Sequence, residues 1–369
     1  MIRRYYATKD NSITNAYQEN LTTRGTGSNM GASDVLEVFS IYGQESSTSS
    51  ELMRTIIQFD TAELIADRAA GKVPASGSVS WYLKMFNAPH SQTVPSDFNL
   101  IVSAVSSSWE EGYGLDMDYY EDLTKDGIGS NWINAKQLTA ATATLDLTAD
   151  ITLTSVAKGR TRNTNTLQTV VNSPAANAGN AVLVGFTGTA TAIVCTVTPD
   201  DTGPVTLTTA QLVELINNGS VAGKTVTITD ASSFRALQTA TGGGSQNLAA
   251  AGEGDEVTAT FAGATGQWLA EGGDYLTDTS SSFTASFSTG LEDMDLDVTT
   301  LVEQWVNSGG NVLGSKGNYG FGIKLPNATE TAARSFFTKK FFGRDSEFFF
   351  QRPVIEARWD SSRQDDRGA

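Results

Sequence analysis

Side chains that commonly do chemistry are scarce in this sequence. It has one histidine, His90, and one cysteine, Cys195. Nucleophilic catalysis by Ser–His–Asp or Cys–His groups needs a base that titrates near neutrality. His90 sits in "NAPHSQTVP", a proline-bounded turn, where a solvent-exposed loop histidine is expected. Cys195, in the alternating run "AIVCTV", reads as a small core residue rather than a nucleophile. A lone cysteine excludes an internal disulfide framework and a Cys/His zinc site. Paired carboxylates are plentiful: Glu110 with Glu111, Asp116 with Asp118, Glu121 with Asp122, and the series Asp293, Asp295, Asp297. Two of them could serve a glycosidase or lyase. No spacing selects a pair, and a chain with 41 acidic residues produces such clusters without a catalytic reason. "DMDYYED", Asp116 to Asp122, is oxygen-rich enough for calcium but lacks the glycine of an EF-hand loop. "VAGKT", Val221 to Thr225, is similar to the end of a phosphate loop. Asn218 stands where the first glycine is required, and a strand rather than a helix follows. "GTGSNMG", Gly25 to Gly31, misses the dinucleotide-loop spacing. The expectation is a protein that is not an enzyme and uses no cofactor.

The bulk numbers narrow the class. A chain of 369 residues suits two domains, or one large β-domain with an insertion. Abundant Gly, Ser and Thr point to many short strands and turns. The net charge of −16 argues against a nucleic-acid partner, because phosphate contact needs a positive surface. No apolar run approaches the ~20 residues that span a bilayer, so no membrane partner is expected. No apolar stretch follows Arg3 and Arg4, so no cleaved leader is expected.

The elements that would position any site are mostly strands. Residues 1–34 are polar and read as an N-terminal arm or a looped first strand. "DVLEVFSIYG", "ELMRTIIQFD", "GSVSWYLKMFNA" and "FNLIVSAVSSSWEEG" alternate as strands, with a short helix at "TAELIADRAAGK" ending at Gly71. From about Thr139 to Gly266 the chain turns Thr-, Ala-, Gly- and Asn-rich and holds three aromatic residues, Phe186, Phe234 and Phe261. This shift on both sides predicts an inserted small α+β domain over 138–266, splitting an outer domain into 35–137 and 267–369. Inside it, "TTAQLVELINNG" reads as an amphipathic helix capped by Thr208 or Thr209 and stopped by Gly219. "DASSFRALQTA" reads as a second helix. In the outer domain "LEDMDLDV" reads as a strand and "TTLVEQWVNSG" as a short helix burying Leu301, Val302, Trp305 and Val306.

The last segment, "FFTKKFFGRDSEFFFQRPVIEARWD", concentrates seven of the 17 phenylalanines and several basic residues. In order it reads as a closing hairpin: Phe336 and Phe337 ending one strand, a turn at Gly343 to Ser346, and Phe348 to Phe350 opening the next. Paired phenylalanines put rings on both sheet faces, and only one face can fill the domain's own core. Phe336, Phe337, Phe341, Phe342, Phe348 and Phe350, with Arg344 and Arg352, are therefore the interface candidates. For Tyr113, Tyr119, Tyr120 and Trp132 the expected role is in the core or at an interface.

With the insert set aside, several segments fall in one order. They are "RTIIQFD" (Arg54 to Asp60), "WEEG" (Trp109 to Gly112), "NW" at Asn131 continuing into "WLAEGGD" up to Asp274, "DVTTLVEQW" (Asp297 to Trp305) and "NYGFGI" (Asn318 to Ile323). That order resembles the DNRLRE-type β-sandwich, which is related to a family of carbohydrate-binding modules. The form with "WEEGYGLDMDYYEDL" and "KKFFGRDSEFFFQRPVIEARWD" also looks like virion structural proteins of tailed phages, marine ones especially. The family's "SRE" turn is present only as "GRDSE". The resemblance implies a mainly β fold, a jelly-roll-like β-sandwich interrupted by the insert. It further implies a non-enzymatic neck, tail, fibre or capsid-decoration component of a virion, made in the host cytoplasm. Its expected partners are copies of itself and other virion proteins. The alternative that the resemblance implies is a glycan-binding module for host-surface attachment, with Tyr113, Tyr119, Tyr120 and Trp132 as the aromatic candidates for contact with the glycan. A polysaccharide-degrading enzyme stands behind both.

Overall fold

The computed structural model describes residues 1–42, 50–90, 95–115, 129–146, 150–171, 182–188, 192–198, 208–221, 226–229, 238–245, 256–306 and 316–361. The chain is mainly β and divides into two compact units: Met1–Gln137 with Trp268–Ala369, and Leu138–Gln267.

The first unit begins with β1 (Ile2–Thr14), β2 (Val35–Tyr42), β3 (Ser50–Phe59), α1 (Thr61–Ala69), β4 (Ser80–Met85) and β5 (Phe98–Ala104). The second unit holds β6 (Ala140–Leu145), β7 (Ile151–Lys158), β8 (Thr166–Val171), β9 (Val182–Gly188), β10 (Ala192–Thr198), α2 (Thr209–Asn218), β11 (Val226–Thr229), β12 (Gln238–Gly242) and β13 (Glu256–Thr260). The first unit resumes with β14 (Ser282–Phe287), β15 (Met294–Asp297), α3 (Thr299–Val306), β16 (Phe321–Lys324), α4 (Asn327–Glu330), β17 (Phe336–Phe342) and β18 (Val354–Arg358).

Strand β1 organises the first unit. Its first half, Ile2 to Tyr6, pairs antiparallel with β18, and its second half, Ala7 to Thr14, pairs antiparallel with β3. A register shift between Ala7 and Lys9 marks the change of partner. One side then runs β1–β18–β4–β15 and the other β1–β3–β16–β5–β14, with β2 pairing both β3 and β17. The result is an antiparallel, nearly closed sheet. The reading of residues 1–34 as an arm is therefore corrected. The stretch is polar because Asp10, Asn11, Ser12 and Thr14 are buried through hydrogen bonds rather than by apolar contact.

The principal core lies between the two sides: Trp81, Leu83 and Met85 of β4, Ile57 and Phe59 of β3, Leu100 and Val102 of β5, Phe321 and Ile323 of β16, and Phe341 of β17. Helix α3 adds Leu301, Val302, Trp305 and Val306, the four residues its spacing predicts. A second, smaller core covers the other face of β3. It gathers Ile13, Leu52, Ile56, Val105, Trp109, Trp132 and Trp268, with Tyr275 and Tyr319 packed against it. Each of two tryptophans there ends on a backbone carbonyl, Trp109 Nε1 on Tyr319 at 2.8 Å and Trp268 Nε1 on Asn131 at 2.8 Å.

In the second unit, β11–β9–β10–β8–β13 form one sheet and β12–β7–β6 another. The first is mixed, with parallel β8–β10 and β9–β11 pairs. Helix α2 forms where its sequence predicts. Thr208 and Gln211 build a reciprocal capping box, Leu212, Leu215 and Ile216 are buried, and Gly219 ends the helix at φ 69°. Most of "DASSFRALQTA" lies outside the described residues, and its end, Gln238 onward, is strand β12 rather than helix.

Candidate functional site

Strand β17 sorts the interface candidates by simple alternation. Phe337, Lys339 and Phe341 point one way and Phe336, Thr338, Lys340 and Phe342 the other. Phe341 is fully buried, so its place among the interface candidates is corrected: it fills the unit's own core. Phe337 is half-buried and packs against that core beside Phe98, with ring centroids 5.7 Å apart. Phe336 is 69% exposed and stacks on Phe337. Phe342 is half-buried and meets Phe348 edge-on at 5.4 Å. Phe348 to Phe350 do not open a strand. A 3-10 turn over Phe349–Gln351 presents Phe348, Phe349 and Phe350 to solvent at 51%, 49% and 75% exposure. Pro353, with no N–H to donate, precedes β18 and delays its start.

The two arginines support this surface from beneath. Arg352 Nε donates to the Ser346 carbonyl at 2.9 Å and its guanidinium lies over Phe349. Arg344 pairs with Glu111 at 3.1 Å and with Asp345. The Arg344 backbone N–H donates to Asp10 Oδ2, and Glu111 Oε1 accepts the Asp10 N–H. Asp10 Oδ1 is buried without a partner. Burial pushes the Asp10 carboxyl up to about 7 and also raises that of Glu111.

The aromatic glycan candidates separate. Tyr113 is 59% exposed. Tyr119 and Tyr120 lie outside the described residues, as does the acidic run proposed for calcium. Trp132 is buried in the smaller core under the Arg54 guanidinium, 4.9 Å from its ring centroid, and is corrected to a packing residue. Arg54 also makes a two-pronged ion pair with Glu330, at 3.1 and 2.6 Å, and donates to the Gly272 carbonyl. Gly272 has φ 82°, and a Cβ there would strike Arg54 and Trp132, so only glycine lets this turn approach them.

Beside this cluster lies a cavity of about 700 Å³, lined in part by Arg54, Ser103, Tyr275, Ser282, Lys324 and Asn327. Ser103 and Ser282 hydroxyls are bonded at 2.8 Å across the β5–β14 pair. Lys324 Nζ lies 4.0 Å from Glu330, and burial lowers its pKa. Two of the acids near the cavity are committed, while Glu271, which also lines it, is exposed. Glu330 holds Arg54, while Asp274 accepts the Leu269 and Ala270 N–H groups and the Ser107 hydroxyl. No family model, curated protein or solved structure matches the chain.

Several further carboxylates are bonded. Glu110 accepts the Gln137 N–H, Asp293 the Asn87 N–H and Asp297 the Thr299 N–H, while Asp295 pairs with Arg358. Burial pushes the Cys195 thiol up to about 12, which keeps it protonated. His90 is half-buried rather than exposed, with Nδ1 shielded and unpaired. Among the described residues no group of three or more His, Cys, Asp or Glu could hold a metal ion. None is a helix long and apolar enough to cross a membrane.

Sequence reasoning missed three residues that the fold makes prominent. Glu303 on α3 is 3% exposed and takes Arg68 from α1 at 2.8 and 2.5 Å and Trp81 Nε1 at 2.7 Å. Lys339 is 1% exposed and Asn87 lies against it. The signal for Lys339 was present: a lysine at an inward position of an alternating aromatic strand.

Proposed function

We propose that the chain is a non-enzymatic virion structural protein of a tailed phage, in which a jelly-roll-like sandwich, interrupted by an inserted α+β domain, makes the particle and self-contacts. The observation that carries the reading is the exposed aromatic surface of the final segment. Phe348, Phe349 and Phe350 stand in solvent on a short turn held by Arg352 and by the Phe342 ring. Large apolar side chains clustered in solvent are what a protein interface covers. The single histidine, and the engagement of Glu330 and Asp274 beside the cavity in an ion pair and hydrogen bonds, support a role without acid–base catalysis. Antibody labelling of purified phage particles tests the proposal: label is expected on particles, and label confined to the soluble lysate overturns it.

The cavity beside Arg54 favours a second reading, attachment to a host-surface glycan. Its serine hydroxyls, Asn327 and Lys324 suit a ligand rich in hydroxyl groups. A glycan array probed with the isolated protein decides, and silence at millimolar sugar removes this reading.

A further inference from the structure

Lys339 sits at an inward position of β17 with its amine removed from water. Nζ lies 2.6 Å from Asn87 Oδ1, 2.9 Å from the Gly290 carbonyl and 2.8 Å from the Glu292 carbonyl. The Phe287 and Phe341 rings flank it, with centroids 5.0 and 5.1 Å away. Burial disfavours the ammonium form and lowers Lys339 to about 8, against the opposing pull of Glu292 and Asp293.

The amide that faces the amine is equally fixed. The Asn87 backbone N–H donates to Asp293 Oδ1 at 2.8 Å, and Asn87 forms a β-bridge with Phe341. On either side, Phe342 N–H donates to the Phe86 carbonyl at 3.0 Å and Ala88 N–H to the Lys340 carbonyl at 3.1 Å. A primary amine and a primary amide are thus held in contact by two strands, the arrangement that turns a slow bimolecular reaction into a proximate one. The Gly290 and Glu292 carbonyls take two amine hydrogens, so loss of the third leaves a lone pair aimed at Asn87. Glu292 Oε2 is buried without a partner, while Oε1 accepts the Ser288 and Thr289 N–H groups.

We propose that Lys339 and Asn87 join spontaneously in an intramolecular isopeptide bond. The Lys339 ammonium, its charged form disfavoured by burial, first releases one proton to solvent. Neutral Nζ then adds to Asn87 Cγ, forming the Nζ–Cγ bond. One of its two remaining hydrogens passes to Nδ2, the Cγ–Nδ2 bond breaks, and ammonia leaves, taking up a proton from solvent. No electrons are exchanged and no co-reactant is needed. The product ties the chain just after β4 to β17, two positions 252 residues apart. A cross-link closing so long a loop restricts the unfolded chain strongly, as a disulfide would, in a protein whose single cysteine cannot make one.

Intact mass of the purified, denatured full-length protein tests this. The chain is expected to weigh less than its sequence by one ammonia, and a protease digest is expected to contain the Asn87 and Lys339 peptides joined. K339M and N87A are expected to restore the full sequence mass. A wild-type mass equal to the sequence after prolonged incubation overturns the proposal and leaves Lys339 as a buried ammonium with three acceptors. So does a mass deficit that persists in K339M. If a variant fails to fold, the mass and joined peptides of the wild type still decide.

Discussion

Asp10 shows how a single buried carboxyl sets the pH response of the first unit. It is fully buried, one oxygen is unpaired, and its neighbours Glu111 and Asp345 carry the same charge. Its folded value of about 7 stands above its ordinary 3.8. Between those values the native state holds a proton that the unfolded chain has released, so stability falls as pH rises. The contribution is fully present below the ordinary value and lost as pH passes the folded one. Asp10→Asn, which stays neutral, is expected to flatten that slope. Urea midpoints of the two proteins across this range check it, and parallel slopes would contradict the assignment. Arg54 belongs at the same scale. The sequence places it in a strand among apolar residues, which marks a charge needing a partner. That the partner is Glu330, 276 positions away, follows only from the fold. A buried pair broken by removing one member costs about 3–5 kcal/mol, so this pair accounts for the arginine in "RTIIQFD".

At the scale of elements, strand β1 carries the sharpest prediction. Because it pairs with β18 on one side of the unit and β3 on the other, removing residues 2–14 opens both. The truncated chain is expected to lose the first unit's cooperative unfolding transition, read by near-ultraviolet circular dichroism on the tryptophans. A transition as sharp as that of the full chain would show β1 to be dispensable. Strands β3, β4 and β5 and helices α1, α2 and α3 were legible because each has one apolar period and a stop signal within its own sequence. Strand β1 was only half legible, as one of two readings, because beside Tyr5, Ala7 and Ile13 it buries Asp, Asn, Ser and Thr side chains bonded to distant groups such as Ser130 and Leu52. The turn at Phe349–Gln351 was misread for the opposite reason. Three phenylalanines in a row signal a strand by propensity, yet no neighbouring strand is placed to pair with them.

For the whole molecule, the exposed phenylalanines set the expected assembly. Replacing Phe348, Phe349 and Phe350 together by serine leaves the core cluster untouched, since none of the three belongs to it. The variant is expected to keep the wild-type melting temperature and lose self-association, measured by light scattering after size exclusion. An unchanged oligomer would exclude this surface as the self-contact. Four of the five segments that carried the family resemblance share a structural place. Trp109, Trp132, Trp268 and Tyr319 come from three of them and meet in the smaller core beside Tyr275, with Arg54 of a fourth laid over Trp132 and Tyr275. Packing accounts for their order in the sequence.

The sequence by itself determined the mainly β class, the place of three helices, the shortage of catalytic groups and the composition shifts at both ends of the middle segment. These depend on local period, capping and residue counts, which a short window contains. The tertiary structure alone decided which phenylalanines face solvent, that a polar N-terminal stretch is a central strand, and that Lys339 meets Asn87. Each is a contact between residues far apart in the chain, made by strand pairing whose register no local pattern encodes.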